Sequence, residues 1–328
     1  MESRIENELD KAKLESKLKI VLAYIACSLI WGTTWYAIRV CIAFGGYSIY
    51  PAIALRYTLS EIILAFCLAW LILRKKTDKA LLINKETPWI LLTGAIAGFG
   101  VGLLYTAEKV IPGGLAAVVS STAPIIAVFL ASGSKVENLS VKTLAGSIIS
   151  LIGIVLVFHD RMNVSPEHAG AVGLLVANSF LNATSNVLMK KHISKTDAYA
   201  RNFFFFLSAA ILVWGMAWIV GPCTIPSHPF EGAALAPTIA LIHLTIPGTL
   251  IAFTLFFYLL KNTSLSKAMT LGFVTPVIAL VVDAFFEKQA IMNLNMYLGV
   301  ACVLMGVGLN IFLPSVKSVN RSKVSSDS

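Results

Sequence analysis

Ten long apolar runs, joined by mostly short connections, take up most of this chain of 328 residues. Each has about the 20 residues that a helix needs to cross a bilayer core of roughly 30 Å. They lack the short alternating pattern of membrane barrel strands. The sequence therefore predicts an all-α integral membrane protein with ten transmembrane helices. The runs are 18–43, 49–73, 88–108, 113–132, 141–159, 169–189, 198–220, 237–260, 264–286 and 291–313.

The charge of the chain supports this prediction and orients it. Charged residues are 13% of the sequence, against roughly 25% in soluble domains, which excludes a water-soluble enzyme. The net charge of +9 indicates membrane orientation rather than nucleic-acid binding, because the basic residues lie between the runs. With the N-terminus inside, 21 of the 26 Lys and Arg residues are internal, and only Lys109, Arg161 and Lys288 are external. We expect both termini in the cytosol.

The two halves of the chain match each other at a nearly fixed offset, which predicts an internal duplication. Six pairs of identical residues lie 152 apart and two glycine pairs lie 153 apart. Because five helices per half is an odd number, the second copy enters the membrane from the opposite side, as in many transporters. The alternative is a duplicated bundle that serves only as a scaffold. The pairs are Leu103/Leu255, Lys109/Lys261, Ala116/Ala268, Pro124/Pro276, Ile126/Ile278, Ala127/Ala279, Gly146/Gly299 and Gly153/Gly306.

The predicted organisation is therefore two inverted five-helix repeats, residues 18–160 and 169–313. A charged arm, 1–17, precedes them and is expected to be a cytosolic surface helix or a disordered segment. The polar tail 314–328 is expected to be cytosolic and disordered.

The first run carries a stripe of large polar and aromatic side chains. Trp31, Trp35 and Arg39 are four residues apart and so share a helix face. Two ring faces and a cation suit an amphipathic solute with a carboxylate. The alternative is an aromatic belt with a snorkelling arginine, which fits Arg39 better than Trp31. All three are predicted to contact solute.

Ionisable residues inside the spans are candidates for coupling or gating, because charge at the bilayer centre costs at least about 2.5–3.5 kcal/mol. Glu61 is the deepest, 12 residues into the run 49–73; alternatively it locks two helices by hydrogen bonding. Arg56, five residues earlier, lies on a different face. Glu108 is included because Tyr105, itself a candidate solute contact, precedes it on a similar face.

Three amides recur every fourth residue in the run 169–189: Asn178, Asn182 and Asn186. Lipid cannot satisfy amide groups, so this face is predicted to line a cavity and to contact solute. Hydrogen bonding between helices is the alternative.

Hydroxyl residues and a proline interrupt the run 113–132, and a second proline occupies the matching place in the second half. Ser120 and Thr122 are candidate solute contacts, and Pro124 and Pro276 are candidate bending points for gating. Proline frees a carbonyl and bends a helix, so static kinks are equally compatible.

Gly94, Gly98 and Gly102 form a series of small residues at four-residue spacing. This spacing predicts close helix packing, either inside the bundle or between subunits. The sequence is therefore also compatible with a homo-oligomer.

The motifs of several other classes of protein are missing from the sequence. It contains no G-x-x-x-x-G-K-[ST] nucleotide loop and no H-E-x-x-H metal motif. Five cysteines give neither a disulfide framework nor a metal cluster. We therefore expect no cofactor, no metal, no nucleic-acid partner and no enzymatic activity.

Several of these residues together resemble the drug/metabolite transporter superfamily, in particular its EamA-domain branch of ten-helix bacterial inner-membrane carriers. The likeness covers nearly all of 18–313. The residues that carry it are Trp31-Gly32-Thr33-Thr34-Trp35, Ala54-Leu55-Arg56-Tyr57, Tyr105 through Pro124, Glu137, Gly146, Gly153, Pro276, Glu287, Gly299 and Gly306. One departure is the spacing from proline to glutamate, which is 13 residues in the first half and 11 in the second.

This resemblance implies a basket of ten helices around a central cavity, with the fifth and tenth helices peripheral. It also implies export of amino acids, related metabolites or toxic compounds without ATP. We therefore expect a secondary transporter, working outward by alternating access on a small organic metabolite, with the lipid bilayer as its surroundings. The alternatives are an importer or exchanger of phosphorylated or nucleotide-linked sugars and a membrane protein that binds or regulates without transport.

Overall fold

The computed structural model describes residues 2–43, 46–74, 82–111, 113–159, 168–220, 223–286 and 294–312. These residues form ten helices long and apolar enough to cross a membrane, and the described part of the chain contains no β-strand. The predicted all-α class with ten spans is thus confirmed. The predicted tail 314–328 and Glu287 lie outside the described residues.

Most spans are single helices, and three are interrupted. The continuous helices are α1 (Glu2–Ala43), α2 (Ile49–Leu73), α3 (Thr87–Glu108), α5 (Val141–Phe158), α6 (Ala169–His192), α7 (Ala198–Val220) and α10 (Leu294–Phe312). The interrupted helices are α4, with segments α4a (Gly113–Ser120) and α4b (Ala123–Gly133); α8, with Leu235–Thr245, Ile246–Ile251 and Ala252–Asn262; and α9, with α9a (Leu265–Met269) and α9b (Leu271–Phe286). The described part of the arm 1–17 continues helically into α1 rather than forming a separate element.

The interruptions follow from local chemistry. Pro124 lies in the first turn of α4b, and the preceding turn tightens as Thr122 N donates to Val119 O. Its counterpart Pro276 lies inside α9b instead, so the two prolines act differently. In α8, Ile246–Ile251 forms a π turn, and Pro247 supplies no N–H there. Such turns carry one extra residue.

Helix packing repeats about a pseudo-twofold axis. The pair α3–α6 corresponds to α8–α1, and the pair α4–α6 corresponds to α9–α1. The pairs α2–α7 and α5–α10 correspond to themselves. This pattern is what two five-helix repeats of opposite orientation produce. The duplication predicted from offset matches is therefore present in the packing.

Glycines permit the closest of these contacts. A Cβ on Gly153 of α5 would lie 2.7 Å from the Gly299 carbonyl of α10, and one on Gly299 would lie 2.6 Å from the Gly153 carbonyl. Gly146 and Gly306 oppose each other in the same way. On α3, Gly94 and Gly98 abut the backbone of α7. The predicted close packing thus occurs inside the bundle.

One end of the bundle, here called the basic end, holds the α2–α3, α4–α5, α6–α7 and α8–α9 connections. Glu86 accepts hydrogen bonds from the backbone of 194–196, at 2.9 Å from Thr196 N. Glu137 accepts from Leu265 N and from the Ser266 hydroxyl. These carboxylates tie each repeat to the other at this end.

Partial burial by itself would raise the pKa of Glu86, but hydrogen bonds from Thr196, Ser194 and Lys195 outweigh it and lower this pKa to about 2. The group is therefore a stable anion over the whole physiological range of pH.

Candidate functional site: a central cavity

A cavity with a free volume of about 220 Å³ lies among the central turns of the spans. Eight helices line it, and neither α5 nor α10 contributes any of the described lining residues. Drug-sized ligands occupy roughly 300–1,000 Å³, so this cavity suits a smaller solute. Its lining residues are Trp31, Thr34, Trp35, Ile38, Arg56, Tyr57, Ala97, Val101, Leu104, Tyr105, Ser120, Ala123, Pro124, Asn178, Asn182, Ser185, Asn186, Phe205, Phe253, Phe256, Ala268, Met269, Leu271, Gly272, Thr275 and Pro276.

Arg56 is the one charged side chain among the described lining residues, and it is only 6% exposed. Its Nε donates to Thr249 Oγ1. Its Nη1 donates to Tyr105 Oη at 3.2 Å, and its Nη2 donates to the Gly248 carbonyl at 3.2 Å. All three partners are neutral, so they hold the guanidinium in place without cancelling its charge. A desolvated cation of this kind favours an anionic ligand.

Aromatic rings form much of the remaining wall. Trp31 donates from Nε1 to the Gly248 carbonyl at 3.1 Å, and its ring lies 5.4 Å from Phe253 and 5.1 Å from Phe256. Phe253 and Phe205 also face the cavity, 5.6 Å apart by ring centroids. We call Phe205, Phe253, Phe256 and Phe257 the phenylalanine cluster. Phe257 lies behind the other three, with its ring 5.2 Å from that of Phe205.

The asparagine stripe of α6 supplies the polar part of the wall. Asn186 Nδ2 donates to Asn182 Oδ1 at 2.9 Å, and both side chains line the cavity with Asn178. Neighbouring hydroxyls instead form hydrogen bonds between helices: Ser179 Oγ donates to Val119 O, and Ser185 Oγ donates to Thr93 O. Asn178, and the amide groups of Asn182 and Asn186 that do not bond each other, are therefore available to a solute.

Most of the predicted site residues meet in this one cavity. Those that line it are Trp31, Trp35, Arg56, Tyr105, Ser120, Pro124, Asn178, Asn182, Asn186 and Pro276. Their contact with solute or their part in gating stays a prediction. Ser120 has a buried Oγ with no hydrogen-bond partner in the described part of the chain.

Four predicted residues lie elsewhere. Arg39 packs beside the Tyr36 ring, with its Cζ 6.0 Å from the ring centroid, and interacts electrostatically with Glu108. Thr122 Oγ1 donates to the Val119 carbonyl at 2.6 Å. Glu61 is half-buried on α2. None of these four, including Glu108, is among the described lining residues.

Sequence reasoning missed the phenylalanine cluster. Phenylalanine is common on every face of a membrane helix, so its presence in α7 and α8 carries no periodic signal. The tryptophans of α1 give only an indirect signal of aromatic partners opposite them.

A central cavity of mixed polar and aromatic character, enclosed by two inverted repeats, defines a membrane transporter. The described residues also contain no group of three His, Cys, Asp or Glu side chains that could hold a metal ion. Residues 18–159 and 169–312 match the EamA-like transporter family, and the chain belongs to that family. The family resemblance seen in the sequence is thereby confirmed, as is assignment to a transporter rather than an enzyme.

Several relatives extend over nearly the whole chain. It is 26% identical over 309 residues to the "Uncharacterized transporter YoaV" of Bacillus subtilis, covering 92% of this chain and 100% of that one. It is 26% identical to the "Uncharacterized inner membrane transporter YedA" of Escherichia coli, with 88% and 91% covered. It is 22% identical to the "Probable amino-acid metabolite efflux pump" of Escherichia coli, with 87% and 92% covered.

A solved crystal structure shares the fold. It superposes with a TM-score of 0.71 at 18% sequence identity, over 88% of this chain and 95% of that one. This likeness supports the helix arrangement.

Proposed function

We propose that this protein is a secondary transporter that exports a small apolar monocarboxylate of amino-acid type by alternating access. The observation that carries the proposal is Arg56, a buried cation that faces an aromatic cavity and is anchored by neutral groups. A carboxylate would complete the charge balance that the protein leaves open.

The number of charges favours a monoanion. A phosphoryl group brings roughly −1.5 to −2 charge, and the described lining offers one cation. Sugar phosphates and nucleotide-linked sugars are therefore the less suitable class. A cationic solute would meet repulsion from Arg56.

The remaining lining suits the other parts of an amino acid. Asn178, Asn182 and Asn186 present carbonyl oxygens that can accept from an ammonium group. Trp31 and the phenylalanine cluster present ring faces and edges to an apolar side chain. A solute that lacked the apolar side chain would leave this aromatic wall unfilled.

The direction and orientation rest on sequence and on relatives. The excess of Lys and Arg at the basic end supports a cytosolic position for that end and for both termini. One relative is named an efflux pump and another an inner-membrane transporter, which supports outward transport across a bacterial inner membrane. Reporter fusions at residue 1 and residue 328 should both report the cytosol; opposite faces would refute the inverted arrangement.

Transport is tested by counterflow in proteoliposomes. Vesicles that contain purified protein and unlabelled L-phenylalanine should accumulate labelled L-phenylalanine, and 2-phenylethylamine, which lacks the carboxylate, should compete poorly. Arg56→Gln should raise the half-saturating concentration at least about tenfold, because hydrogen bonds to charged groups contribute roughly 1.5–3 kcal/mol. Arg74→Gln, an exposed arginine at the end of the same helix, is the matched control and should behave as wild type.

Failure of the wild type to exchange L-phenylalanine or any other apolar monocarboxylate would refute the proposed substrate class. Equal competition by 2-phenylethylamine would refute the role of Arg56. If Trp31→Ala and Asn182→Ala both leave the rate unchanged, the cavity is not the transport site.

A further inference from the structure

A second buried arginine lies outside the cavity. Arg201, in the first turn of α7, is 7% exposed, and its Nε has no hydrogen-bond partner among the described residues. Its Cζ lies 5.1 Å from the centroid of the Phe257 ring. The adjacent Asn202 Oδ1 is likewise buried without a partner. Unpaired polar atoms inside a protein cost free energy, so this arrangement requires an explanation.

Arg201 is similar to Arg56 in its surroundings rather than in its exact place in the repeat. Both lie near the beginning of the second helix of their repeat, and both contact an aromatic residue of the third: Arg56 with Tyr105, and Arg201 with Phe257. Tyr105 and Phe257 are 152 residues apart, the offset of the duplication. The arginines are 145 residues apart. The connections before their helices, 44–48 and 193–197, have the same length, so Arg201 lies about one turn nearer the beginning of its helix than Arg56 does.

The helix contacts one turn after each arginine are also similar. Ser60, four residues after Arg56, donates to the Thr245 carbonyl of α8 at 3.1 Å. Phe205, four residues after Arg201, places its carbonyl against Gly94 of α3. The aromatic residue is therefore duplicated at the repeat offset, and each arginine lies one turn before a contact with the third helix of the other repeat.

One difference explains the unpaired nitrogen. Thr249 accepts from Arg56 Nε, and its counterpart 152 residues earlier is Ala97, which has no hydroxyl. The acceptor that satisfies Arg56 is thus missing from the second repeat. Two acids, Asp197 and Glu86, interact electrostatically with Arg201. Both already accept backbone hydrogen bonds, Asp197 from Tyr199 N and Glu86 from Thr196 N.

The phenylalanine cluster stands between Arg201 and the cavity. Arg201 lies one turn, about 6 Å of helix rise, from Phe205 toward the basic end. Phe257, which covers the guanidinium, contacts both Phe205 and Phe253. Movement of these rings would expose Arg201 to the cavity from the basic end.

We propose that Arg201 is a second carboxylate site, which receives the solute when the cavity opens to the basic end, as Arg56 does when it opens to the opposite end. This inference rests on the proposed function and adds to it a separate binding residue for each face. The two arginines are then separate half-sites, one for each of the two conformations.

The test measures transport from each face separately. Proteoliposomes are sorted or chemically treated so that only one orientation is active, and the half-saturating concentration of labelled L-phenylalanine is determined at each face. Arg201→Gln should raise this concentration roughly 10- to 100-fold at the basic end and less than about twofold at the other. Arg56→Gln should show the reverse pattern.

Two further variants separate binding from folding. Arg201→Lys keeps the charge but loses the forked donors, so its effect should be smaller than that of Arg201→Gln and on the same face. Lys191→Gln, exposed near the basic end of α6, should match the wild type.

The outcomes are distinguishable. An equal change at both faces, or no change at either, refutes the role of Arg201 while the proposed transport stands. A wild type that moves no L-phenylalanine from either face refutes the proposed function, and the role of Arg201 with it.

Discussion

The contact between α5 and α10 allows one substitution to be worked out in detail. In Gly153→Ala the new Cβ would lie 2.7 Å from Gly299 O and 2.8 Å from Val303 Cγ2, where ordinary contact begins near 3.4 Å. The helices must then separate by at least roughly 0.7 Å. Because the obstructing atoms include backbone, rotation of a side chain cannot relieve the overlap. Overpacking of this kind costs about 1–3 kcal/mol.

The assay is thermal unfolding in detergent, followed with a fluorogenic maleimide that reacts as the buried Cys27 and Cys41 become exposed. For a chain of 328 residues, 1 kcal/mol lowers the midpoint by roughly 1.5 °C, so the midpoint should fall by about 1.5–4.5 °C. Gly173→Ala is the matched control, because a Cβ there meets nothing within 4 Å. Since alanine is the better helix former, that variant should be as stable as wild type or slightly more so.

A double variant sharpens the test. Gly299→Ala pushes the same two helices apart, so once one methyl has separated them the second should cost less. Gly153→Ala with Gly299→Ala should therefore lower the midpoint by less than the sum of the single effects. If Gly153→Ala unfolds at the wild-type temperature, the close α5–α10 contact is refuted.

Three more outcomes are expected. Trp31→Phe loses one hydrogen bond to Gly248 O, worth roughly 0.5–1.5 kcal/mol, and should weaken L-phenylalanine transport by less than about tenfold. Trp31→Ala also loses the ring contacts and should weaken transport more. Equal effects of the two variants would contradict the contacts described. The pKa of Glu86 is lowered to about 2 in the folded protein, so its contribution to the free energy of unfolding is complete above the unfolded pKa of 4.5 and disappears as the pH falls toward 2. The difference in unfolding midpoint between wild type and Glu86→Gln should therefore shrink from pH 4.5 toward pH 2. A constant difference from pH 7 to pH 3 would refute the assignment. Glu137→Gln weakens the carboxylate contacts to Leu265 and Ser266 and should lower the midpoint by a few degrees, while Glu15→Gln, exposed on α1, should not; a null result for Glu137→Gln would show that this tie between the repeats is dispensable.

The ten spans and the duplication could be predicted because bilayer thickness and helix rise fix the length of an apolar run. The lining of α1 shows where prediction stopped. A four-residue step drifts by about 40° on a helix with 3.6 residues per turn, so Arg39 is turned by about 80° from Trp31. The residues of α1 that line the cavity are instead Trp31, Thr34, Trp35 and Ile38, and Arg39 lies beside the cavity.

The two candidate charges of α2 illustrate a second limit. Counting residues places Glu61 near the bilayer centre, but depth does not say which face of the helix meets the cavity. That face belongs to Arg56, about 140° away around the helix. Its partners Gly248 and Thr249 are more than 190 residues away in sequence. Contacts so distant are set by tertiary packing, which one sequence does not reveal.

The π turn in α8 has a consequence for how this helix can change in length. The extra residue is accommodated by the wider turn, so deleting one residue within Ile246–Ile251 would convert this segment into regular α-helix and leave the rest of α8 at nearly the same angle. Phe253 and Phe256 would stay in the wall, and Lys190 would keep its acceptors at Leu260 and Thr263. This segment therefore tolerates a single-codon deletion better than the α-helical parts of α8, where the same deletion would rotate all that follows by about 100°.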